Sequence, residues 1–306
     1  MTDDERYMWR CIQLAKNGLQ NAKPNPMVGA VIVCDGRIIG EGYHVRCGEG
    51  HAEVNAFASV RPEDEARLPE STMYVSLEPC SHYGKTPPCA DLIIKKGVRR
   101  VVVGCIDEFA EVQGRGIRKL QEAGIDVKVG VLEKECKELN RRFLTFHREQ
   151  RPYIILKWAQ TANGFIDDHF KSVAISTPFT MMLSHKLRAE EDAILVGRVT
   201  DEREHPQLTV RDWSGENPKR LVIDRTHPLN LESLYAHKIQ SLIVEGGAQT
   251  LRSFLVQNLW DEIRVETNLS LTVSDGTRAP QIPANVKVIE TKTYDSNTIV
   301  RYRRSY

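Results

Sequence analysis

Three short segments of the 306-residue chain hold residue types from which a hydrolytic metal site is built: His51-Ala52-Glu53, Pro79-Cys80 and Pro88-Cys89. One imidazole and two thiolates give a zinc ion three protein ligands and leave a fourth position open for water, the pattern of a catalytic site. Zinc held in this way lowers the pKa of its water towards neutrality and so supplies hydroxide for attack on an amidine-like carbon. Glu53 follows His51 by two residues on the first turn of the same helix. From there a carboxylate reaches the water and shuttles its proton to departing ammonia. The implied chemistry is hydrolytic loss of an amino group from a pyrimidine-like ring, with His51, Cys80 and Cys89 as metal ligands and Glu53 as the catalytic acid–base. Setting His51 and the cysteines at helix starts also aims helix N-termini at the thiolates, which favours their charged form.

The elements that must position these groups follow from periodicity. Residues 4–19 carry Met8, Ile12 and Ala15 at helical spacing, with Asp3 or Asp4 as N-cap. Residues 28–34 form a buried strand, and Asp35-Gly36 turns it into a second strand at 37–43. A helix at 51–61, a strand at 72–77 and a helix opened by Cys89 at 89–96 come next. They are followed by a strand at 100–105, a helix at 114–123, a strand at 126–131 and one long charged helix over 132–148. Arg151-Pro152 marks the linker. A second series then runs through a strand at 153–159, a helix at 178–190, strands at 193–197, 219–223 and 240–245, a helix at 248–258 and further strands. This alternation predicts two α/β domains, 1–148 and 151–306, on mixed, largely parallel sheets covered on both faces.

Composition narrows the function. A net charge of +1 provides no global basic field, and Arg99-Arg100 and Arg141-Arg142 are only short basic patches, so nucleic acid is not the expected partner. No run is apolar enough for a signal peptide or membrane span, and the opening Met-Thr-Asp-Asp-Glu-Arg is acidic, so a cytoplasmic protein is expected. All seven cysteines precede residue 137, an odd set that reads as metal chemistry in a reducing compartment rather than a disulfide framework.

The first half resembles the cytidine-deaminase superfamily and, within it, the deaminase half of the bifunctional riboflavin-biosynthesis deaminase–reductases. The resemblance is carried by Pro24-Asn25-Pro26-Met27-Val28-Gly29, by Gly42-Tyr43-His44, and by the stretch from Leu77 to Cys89, which places eight residues between the two cysteines. It implies a three-layer cytidine-deaminase-like domain acting on a diaminopyrimidinone that bears a ribosylamino 5-phosphate. Asn25, His44 and Lys85 are the implied substrate contacts. Chemically, Asn25 offers donor and acceptor to a ring edge, His44 bonds a polar group, and Lys85 suits a phosphate; taken alone, Asn25 also reads as a turn residue and Lys85 as a solvated charge. Asp107-Glu108-Phe109-Ala110 stands where the family has Asp-Pro-Asn-Pro, which removes a polar contact at Phe109.

The second half resembles the reductase domain of the same family, a relative of the dihydrofolate-reductase fold. The matching pieces are Lys157-Trp158-Ala159-Gln160-Thr161, the stretch from Leu187 to Gly197, Pro206 to Arg211, and Val244-Glu245-Gly246-Gly247. The resemblance implies substrate contacts from Thr177, Arg188, Leu208, Arg211 and Glu245, with the arginines on phosphate and ribose and Glu245 on the pyrimidine. Lys157, Ala159, Thr200, Glu204, Gly246 and Gly247 would line an NADPH site, although Glu-Gly-Gly alone also reads as a plain strand-to-helix turn. Departures include Thr161-Ala162-Asn163-Gly164, Glu204-His205-Pro206 and a short stretch around Asp168 to Ile175 without a tryptophan. The connection from Asp224 to Glu245 is shorter than an additional strand and helix would need. The expectation is therefore a bifunctional deaminase–reductase that reduces the ribosyl group to ribityl with NADPH if its shortened second domain is active, with NADPH bound weakly or not at all. The alternative is a deaminase whose C-terminal domain serves as a dimerisation scaffold. A homodimer or higher homo-oligomer is expected in either case.

Overall fold

In the computed structural model, which describes residues 1–81, 87–107 and 114–305, the chain forms two units, Met1–Glu149 and Gln150–Tyr306. The first unit opens with α1 (Asp3–Ala15). Its cap is Thr2, not Asp3 or Asp4: the Thr2 hydroxyl accepts the Glu5 N–H while the Glu5 carboxylate accepts that of Thr2. This reciprocal box satisfies two orphan donors, and Asp3, Asp4 and Glu5 set negative charge on the first turn, where it complements the helix dipole. The hairpin β1 (Gly29–Cys34) and β2 (Arg37–Tyr43) turns on Asp35 and Gly36, both at positive φ, as a tight two-residue turn requires. Then come α2 (Ala52–Ala58), β3 (Thr72–Leu77), α3 (Cys89–Lys96), β4 (Arg100–Cys105), α4 (Arg115–Glu122) and β5 (Asp126–Val129).

The sheet order is β2-β1-β3-β4-β5, with β1 antiparallel to both neighbours and β3, β4 and β5 parallel. Alternate strand residues feed two layers. Ala30, Ile32, Met73, Val75, Val101 and Val103 pack with α2, α3 and α4, while Val31, Val33, Tyr74 and Val102 pack with α1. The long charged helix expected over 132–148 is in fact two, α5 (Glu133–Leu139) and α6 (Arg141–Glu149), broken at Asn140. The buried Asn140 amide bonds both the N–H and the carbonyl of Met27, each at 2.8 Å, a distant demand that outweighs helix continuity.

The second unit consists of β6 (Tyr153–Thr161), α7 (Pro178–Glu190), β7 (Ala193–Gly197), α8 (Arg198–Glu204), β8 (Lys219–Ile223), α9 (Leu231–Ala236), β9 (Ser241–Val244), α10 (Ala248–Val256), β10 (Glu262–Asn268), β11 (Val286–Tyr294) and β12 (Asn297–Arg304). Its seven strands run β11-β12-β10-β6-β9-β7-β8, parallel from β10 to β8 and antiparallel at β10-β12-β11. The compact stretch between Asp224 and Glu245 holds α9 and β9, and β9 pairs in parallel with both β6 and β7. The short connection therefore fills the middle of the sheet and opens no edge there. The small polar helices α8 and α9 have too little apolar periodicity to be anticipated from sequence.

Candidate functional site

His51 is the N-cap of α2, extended at φ −69° and ψ 170°, and Cys89 is the first residue of α3. Cys80 does not open a helix; it lies in the irregular stretch beyond β3, and the Cys89 N–H reaches its sulfur at 3.3 Å. Helix-start polarity thus reaches Cys80 from its partner's helix. His51 Nδ1 is 3.6 Å from Cys80 Sγ and 3.4 Å from Cys89 Sγ, and the three ligand atoms lie within 4.8 Å of one another. The contact with Cys89, then that with His51, holds the Cys80 thiol well below the usual range. Two soft sulfurs and one imidazole nitrogen, clustered at this range, fit zinc and leave room for one non-protein ligand. The Glu53 side chain is buried in the same helical turn, and burial, followed by the Cys80 sulfur, pushes its carboxyl up to about 7.

Asn25 and His44 join this cluster. The His44 ring packs edge-on against His51 with centroids 5.3 Å apart; its Nδ1 is 3.1 Å from the Gly50 carbonyl and its Nε2 3.1 Å from the Asn25 amide nitrogen. Burial lowers the His44 pKa, and these partners suit a neutral ring that donates from Nδ1 and accepts at Nε2. Lys85 and Phe109 lie outside the described residues.

Sequence reasoning assigned no role to Glu78, yet it ties the chain just before Pro79-Cys80 to the start of α4. Its buried carboxylate accepts the N–H groups of Gly114 and Gly116, each at 2.9 Å, at the start of α4. A Cβ on Gly116 would stand 2.0 Å from the Pro79 carbonyl oxygen, so only glycine allows α4 this close to Pro79-Cys80. An acidic residue immediately before Pro79-Cys80 was the available signal.

In the second unit, the buried Glu245 carboxylate at the end of β9 takes two bonds from Arg188, at 3.2 Å from Nε and 2.8 Å from Nη2, and lies 3.7 Å from Lys157 Nζ. These cations overcome burial and keep its pKa below the usual range. Arg188 Nη1 reaches the Thr209 carbonyl at 3.4 Å. The guanidinium expected on substrate phosphate is thus committed mainly to Glu245. The exposed Arg211 donates to Gln207 and Thr209, and Leu208 is buried at φ 54°. Thr177 spends its hydroxyl capping α7 through the Thr180 N–H. On the other flank, the Gly247 N–H donates to Thr200 Oγ1 at 3.1 Å, and a Cβ on Gly246 would stand 2.7 Å from Thr250. Ala159 pairs with Glu266 in the sheet, while Glu204 is exposed beside Arg203. The fold brings Lys157, Arg188 and Glu245 together, and separately Thr200 and Gly247.

A three-ligand His/Cys/Cys cluster with a buried glutamate, on a five-stranded sheet covered on both faces, defines a zinc-dependent deaminase domain of the cytidine deaminase class, here followed by an α/β domain of reductase type. Residues 1–105 match the cytidine and deoxycytidylate deaminase zinc-binding region, and residues 152–232 and 228–271 match the RibD C-terminal domain. The riboflavin biosynthesis protein RibD of Aquifex aeolicus is 38% identical over 293 residues, 90% of this chain and 81% of that protein. The Escherichia coli RibD is 45% identical over 69% of this chain and 56% of that protein. A crystal structure of a diaminohydroxyphosphoribosylaminopyrimidine deaminase/5-amino-6-(5-phosphoribosylamino)uracil reductase from Thermotoga maritima aligns with a TM-score of 0.89 at 34% identity over 99% of both chains. The chain belongs to the RibD family of riboflavin biosynthesis, in which a zinc deaminase domain precedes an NADPH-dependent reductase domain. Its extent matches that two-domain Thermotoga chain, so the scaffold-only reading of the second half is set aside in favour of the bifunctional one.

Proposed function

We propose that this protein deaminates a phosphoribosylamino-diaminopyrimidinone at its first site and reduces the ribosyl chain of the product at its second. The observation that carries the first step is the convergence of His51 Nδ1, Cys80 Sγ and Cys89 Sγ within 4.8 Å beside the buried Glu53. These three residues would hold a zinc ion, which would supply a water that is nucleophilic at neutral pH. Glu53, with its carboxyl near neutrality, accepts a proton from the attacking water and returns one to the departing amino nitrogen. The ring carbon exchanges its C–N bond for C–O, and ammonia leaves. Asn25, held by His44, turns its side-chain oxygen to the pyrimidine edge, and Lys85 meets the phosphate.

At the second site NADPH supplies the hydride. Glu245, fixed by Arg188 and Lys157, accepts from the pyrimidine ring; Arg211 holds the phosphate, and Thr177 and Leu208 complete the pocket. The backbone at Gly246 and Gly247, at the start of α10, with Thr200, Ala159 and Glu204, receives the dinucleotide. Among the described residues no helix is long and apolar enough to cross a membrane, and none of the seven cysteines is in a disulfide. We place the protein in the cytoplasm as a homo-oligomer. The test is turnover of the phosphoribosyl diaminopyrimidinone with and without NADPH. The expected outcome is ammonia release in both cases and absorbance loss at the nicotinamide band only when the deaminated product is present. NADPH that neither binds nor is oxidised would reject the second assignment.

A further inference from the structure

The segment between α8 and β8 carries two of the proposed substrate residues, Leu208 and Arg211, in an irregular path with Leu208 in the left-handed region at φ 54°. His185 of α7 holds it. Its imidazole is fully buried; Nδ1 accepts the backbone N–H of Arg211 at 2.8 Å and lies 3.4 Å from that of Asp212. Nδ1 therefore carries no proton, and the ring is the neutral Nε2–H form. Nε2 is buried without a hydrogen-bond partner, and Asp212 Oδ2 lies 3.6 Å away. Burial and the nearby Arg188 and Arg211 charges depress the histidine pKa and keep it neutral. One turn further along α7, Arg188 reaches the Thr209 carbonyl, so the helix grips the segment at two points. Leucine would fill this site without leaving a buried nitrogen unsatisfied, so the acceptor at Nδ1 is what a histidine adds.

We propose that His185 is a positioning residue of the reductase site: its Nδ1 anchors the main chain at Arg211 and thereby aims that guanidinium at the phosphate of the substrate. The proposal rests on the assignment of Arg211 to phosphate. In the full-length zinc-loaded protein, His185→Asn returns a polar atom to the Nδ1 position, His185→Gln reaches only the Nε2 position, and His185→Leu removes both. The expected result is a KM for the deaminated substrate raised about tenfold in the Leu and Gln variants, with kcat changed less than about twofold and the Asn variant near the parent. Hydrogen exchange of the peptide 205–213 should quicken in the Leu variant, while unchanged exchange of β6, β7 and β9 shows that the second unit has folded. The Leu change should add nothing in an Arg211→Ala background, because it acts through Arg211. An unaffected His185→Leu beside an impaired Arg211→Ala overturns the positioning role alone, as does an Asn variant no better than Leu. An unchanged KM in Arg211→Ala overturns the phosphate assignment and the positioning role with it.

Discussion

The two sites are built in contrasting ways. At the zinc site, His51 and Cys89 come from helix starts and Cys80 from a strand exit, and their ligand atoms converge directly. At the proposed reductase site the charged residues first engage one another: Glu245 is held by Arg188 and Lys157, and the segment bearing Arg211 is held by α7. A metal demands particular ligand types, so its residues show their role by identity and spacing. A phosphate or ring contact can be made by many residues, and which cation faces the ligand depends on which has already been neutralised by a neighbour.

The contrast can be broken most decisively by removing a metal ligand. Cys89→Ser is expected to lose zinc, by elemental analysis, and to lower deamination to background, while NADPH oxidation with deaminated substrate persists. Loss of both activities would show that the sites do not work separately. Next in size, Glu53→Gln should lower deamination by about 10²–10⁴-fold with zinc retained, since it removes the proton carrier but no ligand. Normal turnover in the zinc-loaded variant would move the proton transfer elsewhere.

In the second unit, Arg188→Ala should cost about 3 kcal/mol in urea unfolding by leaving the largely buried Glu245 carboxylate with Lys157 as its remaining cation, and the double change with Glu245→Gln should recover part of it. A double variant whose cost equals the sum of the two single-variant costs would show that the pair is not coupled. The smallest effect concerns Asp4 in α1. Burial alone would raise the Asp4 pKa, but Arg100, Lys128 and Tyr74 together hold its carboxyl well below the usual range. A depressed folded-state pKa stabilises the protein above the unfolded value and is lost as pH falls through the folded one. Asp4→Asn should therefore cost about 1 kcal/mol at pH 7, with the gap to the parent narrowing below about pH 4. A gap that widens in acid would reverse the sign.

By itself the sequence determined the zinc chemistry, the family and most of the regular elements. Strands 72–77, 100–105, 193–197 and 219–223 and helix 178–190 could be read because their apolar runs and breakers are local. Tertiary structure decided what depends on distant partners. Asn140 breaks a charged helix because Met27 takes its amide, and a connection that looked too short seats β9 between β6 and β7. Arg188 is committed to Glu245, and His185 to the Arg211 main chain, because buried polar groups must find partners wherever the fold brings them. Spacing along the chain carries no record of that pairing. The physical reason is that a metal specifies its ligands by element, whereas a buried charge or amide accepts any complementary group within reach.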